Sequence, residues 1–192
     1  MPTIMVFGDS ISSGYGLPPE TGWVSLLKKR LQTQPSASPA YRVINASISG
    51  ETTLGGRNRI EQALSTHHPD IVIIELGGND GLRGASIESI RNNLEAIIQT
   101  CRRNKTAVLL TSMRLPPNYG IAYTQKFLGI YPQLANKHRL KLVPYMFEGF
   151  GDRPEFFQAD GIHPTVQMQE KILDNVWKVL RGMLKPGQKL AL

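Results

Sequence analysis

The chain predicts one α/β domain, residues 1–192, built on a five-stranded parallel sheet with helices on both faces. Strand and helix signals alternate five times along its 192 residues, the pattern of consecutive βαβ units. Ile71-Val72-Ile73-Ile74 is an unbroken apolar run, as expected of a strand buried on both faces of a parallel sheet. Every polar cluster of chemical interest follows the carboxyl end of a strand or falls in one long loop near the end of the chain. That is the edge at which open α/β sheets place their ligands.

Taken in order, Thr3 to Phe7 is apolar without a helical period and reads as a buried first strand, ending at Gly8-Asp9-Ser10. Thr21 is predicted as the N-cap of a helix whose Trp23, Leu26, Leu27 and Leu31 share one face. Gln34 to Pro39 is a loop by composition. Tyr41 to Ala46 is the second strand, with Ser47 to Gly50 at its carboxyl end. A helix over Thr53 to Ser65 stops before the turn His67-His68-Pro69-Asp70. The third strand, Ile71 to Ile74, runs into Glu75-Leu76-Gly77-Gly78-Asn79-Asp80. Ser86 caps a long amphipathic helix to Arg103, and Ala107 to Thr111 is the fourth strand. A Pro-rich loop, Met113 to Gly120, leads to a helix over Tyr123 to Lys137 and a weaker fifth strand, Leu140 to Val143. The irregular stretch Pro144 to Pro164 precedes a last helix with Ile172, Leu173, Val176, Val179 and Leu180 on its apolar face.

Composition narrows the function classes. With 41% hydrophobic and 19% charged residues the chain can bury a sizeable core, and it has no run of about 18 apolar residues that would span a bilayer. No leader-like segment precedes the first strand, so the expected compartment is the periplasm if a signal peptide has been removed and the cytoplasm otherwise. Cys101 is the only cysteine and continues the apolar spacing of Ile90, Leu94, Ile97 and Ile98, which marks it as core. The net charge of +7 suits transient contact with an acidic lipid surface or an acyl carrier. Its sources are scattered (Lys28 to Arg30, Arg102-Arg103, Lys137 to Lys141, Lys185 to Lys189), and they form no nucleic-acid footprint. No His/Cys/carboxylate cluster has metal-ligand spacing, so neither metal nor cofactor is expected.

Ser10, past the first strand, is a candidate nucleophile, and a nucleophilic serine needs a base and a group that orients the base. Of the four histidines, His67 and His68 fall at the amino edge of the sheet, and His138 ends a helix as a dipole-complementing surface residue. His163 alone shares a loop with a nearby carboxylate, Asp160, three residues before it. That spacing projects both side chains to one side, so Asp160 can accept from Nδ1–H and leave Nε2 to face Ser10. Oxyanion donors are available from the backbone N–H of Ser10 and Gly50 and from the side-chain amide of Asn79. Each piece alone reads as an ordinary turn. Together they put nucleophile, donors and base on one sheet edge.

Gly8-Asp9-Ser10, Gly50, Gly77-Gly78-Asn79-Asp80 and Asp160-Gly161-Ile162-His163-Pro164 resemble the four blocks of the SGNH (GDSL-type) hydrolases in order and spacing. Val43 to Gly50, Glu75 to Gly84 and Arg114 to Gly120 further resemble the bacterial acyl-CoA thioesterase I, lysophospholipase and arylesterase group. The likeness extends from Thr3 to about Leu184. It implies a flavodoxin-like three-layer α/β/α sandwich and an esterase site open to solvent. It also implies a catalytic triad of Ser10, Asp160 and His163, and an oxyanion hole of Ser10, Gly50 and Asn79. Substrate contacts are expected at Asp9, at Gly78 within Glu75 to Asp80, which matches a segment that moves on binding, and at Arg114, Leu115, Pro116 and Tyr119. Members of the group are typically exported. There is no Gly-x-Ser-x-Gly, which excludes the nucleophile elbow of α/β-hydrolases as the template.

The expected activity is hydrolysis of a small ester or thioester by a monomer. Two other readings stand beside it: a deacetylase of acetylated carbohydrates on the same fold, and a non-catalytic flavodoxin-like module binding an anion.

Overall fold

In the computed structural model, which describes residues 1–33 and 40–184, five parallel strands form one sheet. They are β1 (Thr3–Gly8), β2 (Arg42–Asn45), β3 (Ile71–Glu75), β4 (Ala107–Thr111) and β5 (Lys141–Val143), in the order β2-β1-β3-β4-β5. β1 and β3 are buried at every position, and their register pairs Ile4 with Ile71 through Gly8 with Glu75. The Val/Ile-rich composition of these two strands follows from that position: with helices on both faces, neither side of the strand meets water. The edge strands β2 and β5 carry exposed residues. The predicted loop Gln34 to Pro39 and the basic tail Lys185 to Lys189 lie outside the described residues.

Seven helices are described: α1 (Ser10–Ser13), α2 (Trp23–Thr33), α3 (Thr53–His67), α4 (Gly78–Leu82), α5 (Ile87–Arg103), α6 (Ile121–His138) and α7 (Gln169–Leu180). α2 packs on α7, while α3 packs on α5 and α5 on α6, giving the two outer layers of an α/β/α sandwich. The Ser86 hydroxyl caps α5 by accepting from the Ser89 N–H, and Ile90, Leu94, Ile97, Ile98 and Cys101 are all buried on one face. Burial pushes the Cys101 thiol up to about 12, as befits a small core residue.

Several expectations need correction. Thr21 does not cap α2; its hydroxyl donates back to the Pro18 carbonyl at 2.7 Å. The Trp23 N–H, at the first residue of α2, is satisfied instead across the fold by Gln169 Oε1 at 3.1 Å. α3 runs through His67, and His68 closes it in the left-handed conformation, φ 45°, its N–H donating to the Leu64 carbonyl. His138 ends its helix as expected but is half-buried rather than exposed, its side chain 9% exposed and Nε2 2.7 Å from Glu95 Oε1. The short helices α1 and α4 have no periodicity to announce them, being about one turn each.

The order of the strands positions the site. The order in which successive strands are added reverses between β1 and β3, the switch point at which such sheets open a crevice beyond their carboxyl ends. α1 begins directly after β1 and α4 almost directly after β3, so Ser10 and Asn79 emerge side by side. The long stretch after β5 is held by aromatic packing continuous with the main core. Phe150 packs on Phe147, Phe156 and Phe157, with ring centroids 5.4, 6.5 and 5.9 Å away.

Candidate active site

Ser10 is the first residue of α1, and the preceding Asp9 caps that turn by accepting from the Ile11 N–H at 3.0 Å. Asp160 opens a tight turn whose second residue, Gly161, has φ +68°, a conformation that favours glycine. Its Oδ1 accepts the N–H groups of Ile162 (2.9 Å) and His163 (3.0 Å), which leaves Oδ2 free to meet His163 Nδ1 at 2.5 Å. His163 Nε2 then lies 2.8 Å from Ser10 Oγ. A carboxylate on Nδ1 requires the proton there, so Nε2 accepts from the serine hydroxyl.

The histidine loop is braced on both sides. The Gln158 N–H donates to the His163 carbonyl at 2.7 Å, and Gln158 Nε2 donates to the Tyr15 and Pro164 carbonyls. The Tyr15 ring stacks against the His163 ring, centroids 4.5 Å apart. Burial pushes the Asp160 carboxyl up. The His163 and Ile162 amides and the imidazole outweigh it, and the carboxyl stays below its ordinary value.

The three expected oxyanion donors come from three different strand ends. The turn after β2 is tied to β1 and α1: the Ile48 N–H donates to the Gly8 carbonyl, and the Ser49 and Ser13 hydroxyls are 2.7 Å apart. This brings Gly50, at φ +81°, to the same edge. Among the described residues no acceptor takes the N–H of Ser10 or of Gly50. Asn79 Nδ2 donates to the Glu51 carbonyl at 2.9 Å and, more weakly, to Asp9 Oδ2 at 3.3 Å. Asp80, the next residue, is buried and accepts both the N–H (2.9 Å) and the hydroxyl (2.6 Å) of Thr53, fastening α4 to the start of α3.

Ser10 and Asn79 open into a cleft of about 970 Å³. Gly78, Arg114, Leu115 and Pro116 line it, together with Tyr145, Phe147 and Phe157 from the stretch after β5. The Arg114 guanidinium lies 4.1 Å over the Tyr145 ring. Tyr119 is not among the lining residues; its hydroxyl donates to the Leu82 carbonyl at 2.8 Å and buttresses α4 from behind. Asp9 lines the floor but is 3% exposed, and its carboxylate is turned inward to Ile11 and Asn79. Reading the sequence missed Tyr15, Gln158 and Glu51, whose parts depend on contacts between segments far apart in the chain. It also missed the aromatic wall, although the density of Phe between 147 and 157 was a visible signal.

Serine, imidazole and carboxylate in line at the carboxyl edge of a parallel sheet, with amide donors beside the serine, is the arrangement of serine hydrolases. Residues 6–171 match the model of the GDSL-like lipase/acylhydrolase family, and the chain belongs to that family. It is 44% identical over 182 residues to the esterase TesA of Pseudomonas aeruginosa, covering 95% of this chain and 89% of that protein. It is 38% identical to thioesterase 1/protease 1/lysophospholipase L1 of Escherichia coli K12, covering 95% and 85%. The crystal structure of the psychrotrophic esterase EstA from a Pseudoalteromonas species, inhibited by monoethylphosphonate, superposes with a TM-score of 0.89 at 32% identity. That match covers 95% of this chain and 98% of EstA. The α/β fold expected from the sequence is thus shared with solved members of the family.

Proposed function

We propose that this enzyme hydrolyses carboxylic esters and acyl thioesters by acyl transfer to Ser10. The observation that carries the reading is the alignment of Ser10, His163 and Asp160 through contacts of 2.8 and 2.5 Å, at the mouth of a cleft with an apolar wall. His163 Nε2 takes the hydroxyl proton as Oγ attacks the carbonyl carbon. The N–H groups of Ser10 and Gly50 and the Asn79 amide receive the oxyanion, each donor worth on the order of 3 kcal/mol. The imidazolium, held in its tautomer by Asp160, then protonates the leaving group. Water activated by the same base releases the acyl group from Ser10. Leu115, Pro116, Phe147 and Phe157 suit an acyl chain rather than a sugar. The reading as an anion-binding module requires Asp160 and His163 to be incidental, against the geometry that joins them to Ser10.

The chain works in this reading as one domain and as a monomer, with a small ester or thioester as its partner. The exported character of the group it resembles supports a periplasmic site of action. Among the described residues no helix is long and apolar enough to cross a membrane.

The test is kcat/KM on p-nitrophenyl esters of increasing acyl length and on acyl-CoA, with Ser10→Ala alongside. Turnover that disappears in Ser10→Ala is expected for both substrate classes, with the acyl-length profile reporting how much of the cleft is used. Turnover that survives the substitution would sink the serine mechanism.

A further inference from the structure

One buried ionisable group has no part in the mechanism above. Glu75, the last residue of β3, is 0% exposed, directly beneath the Ser10 turn. Its Oε1 accepts from the Ser12 hydroxyl at 2.6 Å, and that hydroxyl in turn accepts from Trp23 Nε1 at 3.2 Å. Its Oε2 is buried and, among the described residues, receives no donor. The Asp9 carboxyl is a side-chain neighbour of Glu75, which pairs in register with Gly8. Two touching carboxyl groups sealed from water cannot both be ionised.

The surroundings decide which of them keeps the proton. Asp9 receives the Ile11 N–H at 3.0 Å and the Asn79 amide at 3.3 Å, both of which favour its anion. Glu75 has the Ser12 hydroxyl and, as the weakest influence on it, the Asp9 backbone N–H, against complete burial. Burial, and after it the charge of Asp9, holds the Glu75 carboxyl well above the ordinary carboxylate range. Burial raises Asp9 only to about 6. A proton on Glu75 Oε2 directed at Asp9 removes the orphaned atom and satisfies both groups.

We infer that Glu75 is a positioning residue, kept as the neutral acid, whose hydrogen bond to Asp9 sets how firmly Asp9 grips the Asn79 amide. The inference rests on the proposed role of Asn79 as an oxyanion donor. One amide hydrogen of Asn79 is spent on the Glu51 carbonyl, so the oxyanion must take the other, which now points at Asp9. A carboxylate with no other call on its charge would draw that hydrogen in to roughly 2.8 Å. At 3.3 Å, with Nδ2 held at 2.9 Å to the Glu51 carbonyl, the contact is loose, as it would be were Asp9 sharing a proton from Glu75. Asp9 thereby orients the amide without withholding it.

The test compares Glu75→Gln and Glu75→Leu with the wild type. Glutamine supplies a neutral N–H to Asp9 and a carbonyl to Ser12, so Glu75→Gln is expected to keep kcat within about threefold. Leucine leaves Asp9 unshared, and Glu75→Leu is expected to lower kcat about tenfold or more with KM nearly unchanged. Infrared difference spectra at neutral pH are expected to show a protonated carboxylic C=O band in the wild type that is absent from Glu75→Gln. A wild type without the band, or a folded Glu75→Gln as impaired as Glu75→Leu, would overturn the inference. If Glu75→Leu does not fold, the glutamine variant and the infrared band still decide. An inactive wild type that shows the band would count against the hydrolase reading and not against the acid pair.

Discussion

Asn79 shows how much a single side chain carries here. It is the second residue of a helix only five residues long, and its amide is aimed by contacts to Glu51 and Asp9, from two other segments. Asn79→Ala is expected to lower kcat on esters by about 10²–10³ with little change in KM, because the lost donor acts on charge that exists only in the transition state. A loss confined to KM would move Asn79 from the oxyanion to substrate binding. The residue types of this site could be read from the chain: a serine after one strand, an amide after another, and a histidine with a carboxylate three residues before it. The partners that aim them could not, because Glu51, Glu75 and Gln158 are as common on a solvated surface as in a buried network. Only their neighbours in space distinguish the two.

At the scale of elements, the largest departure from the sequence reading is the start of α2. A local cap at Thr21 was the expectation, and a residue 146 positions away supplies the acceptor: Gln169, 2% exposed, takes the Trp23 N–H. This one bond joins the first long helix to the last, and α2 and α7 pack together along the same layer. Gln169→Leu is expected to cost about 1–3 kcal/mol, the penalty of a buried N–H left without a partner. A shifted urea midpoint at unchanged slope would report it, and a loss under about 0.5 kcal/mol would show that the helix start finds another acceptor. Gly77 makes a similar point within one loop. Its φ of +113° and the Tyr131 hydroxyl lying where a Cβ would be leave room for glycine only. Tyr131 is tied there by its bond to the Leu76 carbonyl, 2.9 Å away. Capping signals for α5 were legible because Ser86 and its acceptor role are three residues apart in sequence; those for α2 were not.

For the whole molecule, the buried acid pair couples stability to pH. Asp9, raised from 3.8 to about 6, binds its proton more tightly in the folded than in the unfolded protein. Its contribution is therefore most favourable below 3.8, declines as pH rises to about 6 and is level beyond. The unfolding free energy of the wild type minus that of Asp9→Asn is expected to fall by about 2–3 kcal/mol across that window. Denaturant titrations of both proteins at several pH values would measure it. A difference that does not change with pH would mean Asp9 is not raised. The lowered carboxyls Asp160 and Glu95 work in the opposite sense at lower pH, and they cancel in the comparison because both proteins carry them. By itself the sequence determined the alternation of strands and helices, the burial of β1 and β3, and the residue types proposed as nucleophile, donor and base, since these follow from local periodicity and short spacings. Tertiary structure decided which face each loop presents, which distant groups cap and brace the elements, and that Glu75 adjoins Asp9. Those outcomes arise where β1 and β3, more than sixty residues apart in the chain, lie in register, and no local pattern encodes that adjacency.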